Sequence, residues 1–197
     1  MAWTMQATVL CLLLKLNLAQ ADFTDAVEYI YDNAQAIRLL FLDKQPLYVV
    51  GGTFAEDPLL RKNSGIPFKC GIVQMGKLSE KKFSLQRRIY TARLPGKWLI
   101  TTYDMKPNQS EGYRVPNCMD AYRHQGNTQI YSGRMYLLLS DRSSCALFYH
   151  KQSGDCELWE SKRPKKNELP SSFCSKYLGA CNNKHFIWYY KFSECFN

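Results

Sequence analysis

Four of the chain's eight cysteines fall between Ser144 and Cys181, and the chemistry open to them depends on where the protein resides. In an exported chain they pair as disulfides; in a reducing compartment the same residues would hold a metal or act as thiols. Within this stretch Glu157 and Trp159 stand two residues apart, so an extended strand sets a carboxylate and an indole on one face. Two readings of the pair are open. One is a binding acid flanked by an aromatic ring; the other is a buried carboxylate satisfied by a neighbouring Arg or Tyr beside a core tryptophan. His124, His150 and His185 lack metal-ligand spacing and read as surface or packing residues. No nucleophile motif such as G-x-S-x-G occurs, and no acid, base and nucleophile can be assembled, which argues against an enzyme. Asp104 and Asp120 lie in strand-like runs, where an outward or strand-end position is commoner than a pocket acid. No cofactor and no metal is implied.

The elements that must position these residues are a hairpin and a helix. Cys145 to His150 and Cys156 to Ser161 are short runs rich in aromatic and aliphatic side chains, separated by Lys151, Gln152, Ser153, Gly154 and Asp155, which is hairpin-turn chemistry. A basic loop follows, with Lys162, Arg163, Lys165 and Lys166 around Pro164. Pro170, Ser171 and Ser172 then open a short helix, Phe173 to Leu178, which stops at Gly179.

The chain opens with an apolar run, Ala7 to Leu14, and the small-residue pattern Ala19, Gln20, Ala21, so residues 1–21 read as a signal peptide and 22–197 as one extracellular domain. The run is too short to span a membrane. Removing it takes away Cys11 and Lys15. Seven cysteines remain, which is odd, and the formal charge of +9 drops to about +8. Such a surface attracts anionic partners; behind a signal peptide the basic loop reads as a solvated loop or a glycosaminoglycan contact rather than a nucleic-acid site. Asn108-Gln109-Ser110 is a glycosylation sequon beside Pro107 and Gly112.

Ala26, Val27, Ile30, Ala34 and Ile37 recur at spacings of three and four, which predicts an N-terminal helix within Thr24 to Leu42. From Pro46 onward the chain becomes a succession of strands: Leu47 to Phe54, Phe68 to Met75, Lys82 to Ala92, Lys97 to Met105, Tyr113 to Tyr122, Thr128 to Ser140, and the two strands of the hairpin. Pro116 interrupts the fifth. A last apolar run, Phe186 to Phe192, could add a strand. Eight strands joined by tight turns without crossover helices predict an antiparallel meander that closes into a barrel. Along Trp98 to Met105 one face carries Trp98, Ile100, Thr102 and Asp104, the other Leu99, Thr101, Tyr103 and Met105.

The Cys145 strand, the Glu157-Leu158-Trp159 triplet, the cysteine-bearing helix with Cys174 and the distal Cys195 together resemble the tick salivary lipocalins, the histamine-binding protein family. Asp25-Ala26 and the Pro46 to Phe54 strand extend the resemblance over most of residues 22–197. It departs from the family at Cys156, where an aromatic residue usually stands. The resemblance implies an all-β fold with flanking helices: an eight-stranded antiparallel lipocalin barrel with an N-terminal helix and a C-terminal helix packed on the wall. It also implies disulfides Cys70 to Cys195 and Cys145 to Cys174, each stabilising by roughly 2–4 kcal/mol. Cys156 with Cys181 is then inferred as a second staple of the same helix, leaving Cys118 over.

With Cys145 and Cys156 turned toward the helix, pleat parity sends Ala146, Phe148 and His150, and likewise Glu157 and Trp159, into the barrel. In the family the matching glutamate and tryptophan line the pocket, and in amine-binding members an acid receives the ligand's ammonium. The candidate ligand-binding set is therefore Glu157, Trp159, Phe148, Trp98, Ile100, Leu137 and Leu139. An amine pocket wants two or more inward acids to offset the burial of a cation, and parity supplies one. That favours a mainly apolar ligand, sterol or fatty-acid-like, with a biogenic amine such as histamine or serotonin as the alternative. The family's sterol-holding, Japanin-like members, which modulate host immune cells, are a precedent. The expectation is a secreted, monomeric lipocalin that blunts host immune and inflammatory defence.

Overall fold

The computed structural model describes residues 37–42, 44–60, 64–91, 98–141, 143–165, 168–169, 171–181, 184–190 and 195. Eight strands follow one another along the chain: β1 (Leu47–Gly52), β2 (Gly71–Ser79), β3 (Lys82–Tyr90), β4 (Trp98–Asn108), β5 (Cys118–Gln125), β6 (Thr128–Ser140), β7 (Cys145–His150) and β8 (Asp155–Glu160). Each pairs antiparallel with the next, and β1 closes the circle by pairing with β8 on one edge and β2 on the other. The result is a closed lipocalin-type barrel, which leaves no long unpaired edge. The fifth strand begins at Cys118, just past Pro116, whose missing N–H would have left a gap in the ladder.

A two-residue strand, β9 (Ile187–Trp188), pairs with Gly51 and Gly52 of β1. Those glycines are required by crowding. A Cβ on Gly51 would fall onto the Phe186 ring, and one on Gly52 would lie 2.7 Å from the Cys156 carbonyl oxygen.

Of the expected N-terminal helix, the described part is one turn, α1 (Ile37–Leu40), and the remainder lies outside the described residues. Ile37, Leu40 and Phe41 are buried, and Phe41 meets Phe83 edge-on at 6.0 Å, so this turn covers the end of the barrel where β3 begins. The opposite end is the mouth. There the β1–β2 connection folds back across the opening: Thr53 Oγ1 donates to Asp155 at 2.9 Å, Phe54 packs against Phe68, Tyr189 and His150, and Leu59 is buried.

The C-terminal α-helix expected from Phe173 to Leu178 is instead a 3-10 helix, Cys174–Ala180. Its ends are tied to the wall by Cys145–Cys174 and Cys156–Cys181, while Cys70–Cys195 joins β2's entrance to the distal segment. The anchors explain the winding. Cys156 lies opposite Tyr149, four residues along β7 from Cys145, so the two wall positions are roughly 13 Å apart along the strand. Seven residues of α-helix advance only about 10.5 Å, whereas seven of 3-10 helix advance about 14 Å and reach both.

Cys118 is the free thiol among the described residues. It is buried, its Sγ donates to the Asn108 carbonyl at 3.3 Å, and burial pushes its pKa up to about 11. It is therefore a poor nucleophile at neutral pH.

Candidate functional site

Strand pairing divides the hairpin into two faces. Phe148 lies opposite Glu157 and Ala146 opposite Trp159, so these four share the lumenal face, with small Ala146 leaving room for the indole. Cys145, Leu147, Cys156 and Leu158 form the other face, buried beneath the 3-10 segment. Phe148 and Trp159 rings pack with centroids 4.3 Å apart.

Glu157 is fully buried, and both its carboxylate oxygens are occupied. Oε1 receives the Trp159 indole N–H at 2.6 Å and faces Arg87 Nη1 at 2.8 Å; Oε2 pairs with His150 Nε2 at 2.6 Å. Arg87 reaches across the lumen from β3. Its Nε and Nη2 lie 2.8 and 2.7 Å from Asp57 Oδ2, and Asp57 Oδ1 accepts the Leu59 backbone N–H. The barrel interior is thus crossed by a chain of contacts running Asp57, Arg87, Glu157, His150, in which Arg87 pairs with both carboxylates and His150 hydrogen-bonds Glu157, and Asp57 belongs to the connection that covers the mouth. Such an array is favourable only when every charge is paired. Tyr103 sits on the same inner row, fully buried, with burial raising its pKa and no hydrogen-bond partner for its hydroxyl among the described residues.

Four of the seven candidate ligand residues come together: Glu157, Trp159, Phe148 and Leu137, the last opposite Phe148. Leu139 lies opposite Leu147 because a bulge between Leu137 and Leu139 turns it to the helix-covered face. Trp98 and Ile100 pair with Tyr90 and Arg88 on the outer row of β3 and β4, where Ile100 is 56% exposed, Trp98 meets Tyr90 edge-on and the Arg88 guanidinium lies over the Trp98 ring. The inner row of β4 is Leu99, Thr101, Tyr103 and Met105 instead. Asp104 and Asp120 are also on the outer wall, the first engaged by Lys82, His124 and Gln129, the second by Arg134 and Asn108.

The family model described as tick histamine binding protein matches residues 26–197. The chain belongs to that family. Among solved structures, AM182 in its serotonin complex aligns with a TM-score of 0.52 and 16% identity, over 78% of this chain and 88% of that one. Japanin from Rhipicephalus appendiculatus bound to cholesterol gives 0.46 and 14%, over 78% and 97%, and the siderocalin Ex-FABP gives 0.40 and 13%, over 63% and 76%. At such identity the likeness to AM182 speaks for the fold. No curated protein sequence matches the chain.

In this tick histamine-binding family member the mouth holds a cavity of about 620 Å³, lined in part by Asp57, Leu59, Leu60, Arg123, Tyr131 and Gln152. Asp57 connects it to the lumenal chain of contacts. The sequon residue Asn108 ends β4 half-buried, with Nδ2 donated to Asp120 at 3.0 Å.

The chain of contacts makes a prediction about acid. Burial alone would raise the Glu157 pKa, but the Arg87 guanidinium and His150 outweigh it and hold the carboxyl at about 2, below its ordinary 4.5. A depressed folded-state pKa stabilises fully above about pH 4.5 and is lost as pH falls toward about 2. Urea midpoints should therefore decline steadily through that window, and Glu157→Gln should flatten the decline. An unchanged slope in the variant would place the acid sensitivity elsewhere.

Proposed function

We propose that the protein is a secreted lipocalin that takes a small, mainly apolar molecule, sterol or fatty-acid-like, into its barrel and thereby modulates or evades host immune and inflammatory defence. The observation that carries this reading is the occupancy of Glu157. With Arg87, His150 and the Trp159 N–H already on its oxygens, an ammonium ligand would have to displace a buried partner, a rearrangement costing several kcal/mol, about 3–5 when one member of such a pair is lost. The surrounding lumenal side chains, Phe148, Leu137, Met105 and Trp159, are apolar and buried. The mouth cavity, of the volume usual for small-molecule sites, supports entrance from that end. Membership of the family supports a small-molecule ligand. Export is supported by the apolar run with Ala19-Gln20-Ala21 and by three disulfides.

One observation favours the amine alternative. Two carboxylates, Asp57 and Glu157, converge on the lumen about one guanidinium, which supplies the second inward acid that an amine pocket wants. Native mass spectrometry of untreated and delipidated protein, with histamine and serotonin titrations, separates the two readings. The expected result is an apolar adduct that survives purification and exchanges with added sterol or fatty acid. Micromolar or tighter amine binding abolished by Glu157→Gln would reject the apolar reading.

A further inference from the structure

At the end of the barrel opposite the mouth, where β8 finishes and the 3-10 segment begins, lies a second cavity of about 440 Å³. Lys162, Arg163 and Lys165 line it, all exposed, and Arg163 is held in place by donating to the Cys195 carbonyl. Ser144, Ser161, Ser171 and Ser172 contribute hydroxyls, and Glu168 and Leu169 stand at the exposed rim. Glu160 also lines this hollow. It is 8% exposed, and its Oε1 meets no hydrogen-bond partner among the described residues. Burial raises its pKa, against hydrogen bonds from Ser172 that lower it.

A cationic rim alone would attract any polyanion and needs no site to explain it. The buried acceptor is different. A solvated loop does not account for a carboxylate oxygen at the end of β8 that is withdrawn from water and unpaired among the described residues, and a donor supplied by a ligand would relieve that cost. Cations for anionic groups, hydroxyls of both polarities and a recessed carboxyl acceptor within one concavity match a sugar chain that carries anionic substituents and free hydroxyls together. An anionic lipid surface would want a convex basic face with apolar side chains to insert, and this face is recessed. We infer that the cavity is a binding site for a sulfated polysaccharide, with sulfates at Lys162 and Lys165 and a sugar hydroxyl donating to Glu160.

β7 separates the two ends, and its six residues span roughly 17 Å, so glycan and barrel ligand can be held at once. The site does not depend on which molecule fills the lumen. It would keep a sequestering protein at a glycan-coated surface.

The test is surface plasmon resonance of the full-length protein on an immobilised sulfated heparin octasaccharide, with its desulfated counterpart and vesicles of phosphatidylcholine and phosphatidylserine as comparators. Lys162→Ala/Lys165→Ala should weaken octasaccharide binding about tenfold or more, as expected for two charge-assisted contacts. Lys106→Ala/Lys151→Ala, which removes the same charge elsewhere, should change it little. Glu160→Leu, which removes the acceptor together with the charge, decides between a built site and diffuse attraction. A site that uses the carboxyl as acceptor loses affinity on that substitution, whereas a diffuse field gains it because a negative charge is gone. Equal losses from both lysine pairs, tighter binding by Glu160→Leu, or preference for the vesicles would each overturn the inference. Circular dichroism and thermal midpoints on each variant confirm that binding is read from folded protein.

Discussion

Arg87→Met should lower the stability of the folded chain by about 3–5 kcal/mol, the cost of leaving buried partners of an ion pair uncompensated. That is a large part of what an ordinary domain has in total. Arg87 is 1% exposed and stands between Asp57 and Glu157, each buried. Without the guanidinium both buried carboxylates lose their counter-charge, and the connection carrying Asp57 loses its tie to the lumen. In thermal terms a chain of this size should melt roughly 6–20 °C lower. Urea unfolding at neutral pH measures the effect, and a second substitution shows its origin. Adding Glu157→Gln to Arg87→Met removes one of the two stranded charges and should recover part of the loss, so the double variant should be more stable than the single. If the two substitutions simply add, the guanidinium is acting through packing rather than charge.

Cys70→Ala/Cys195→Ala should be the other large effect, about 2–5 kcal/mol, because a crosslink between distant residues removes much of the unfolded chain's freedom. These cysteines are separated by 125 residues, against 29 and 25 for the other two pairs. Both are buried, so alanine avoids leaving a hydroxyl unpaired. The same alanine pair at Cys156 and Cys181 should cost less on the loop-length argument. Thermal melts of the two double variants under non-reducing conditions check the order, and a larger loss at Cys156 and Cys181 would show that seating the 3-10 segment matters more than chain entropy.

The strands and the two faces of the hairpin were legible because turn residues and period-two alternation are local properties. Glu157 with Trp159 could be placed in the lumen once Cys145 and Cys156 were assigned to the opposite face. Arg87 was also there to be found: it interrupts the apolar row Phe83, Leu85, Ile89 on β3, and a cation in such a row signals a buried counter-charge. Asp57 was not legible, since Asp57-Pro58 reads as a turn and only the folding back of its connection brings it to Arg87. On β4 both faces are rich in apolar and aromatic side chains, so alternation alone could not say which looks inward, and Trp98 and Ile100 proved to be outside. Leu139 was displaced by a bulge that no spacing announces. The 3-10 winding of Cys174–Ala180 follows from two anchors on a strand pair, a distance that exists only after the hairpin has formed.

The meeting of β1 with β2, β8 and β9 also sets a timetable. β1 is made early, yet its partners Glu157 to Glu160 and Ile187 to Trp188 come much later in the chain. At a synthesis rate of about 5–20 residues per second, the 125 residues between Cys70 and its partner take roughly 6–25 s to appear. Through that interval Cys70 is a thiol without its mate, while Cys118 and Cys145 emerge ahead of Cys195 as competitors. Correct oxidation then depends on keeping Cys118 out of play, and its burial against the Asn108 carbonyl does so only after β4 and β5 have paired. The newborn chain must therefore close its middle before its ends.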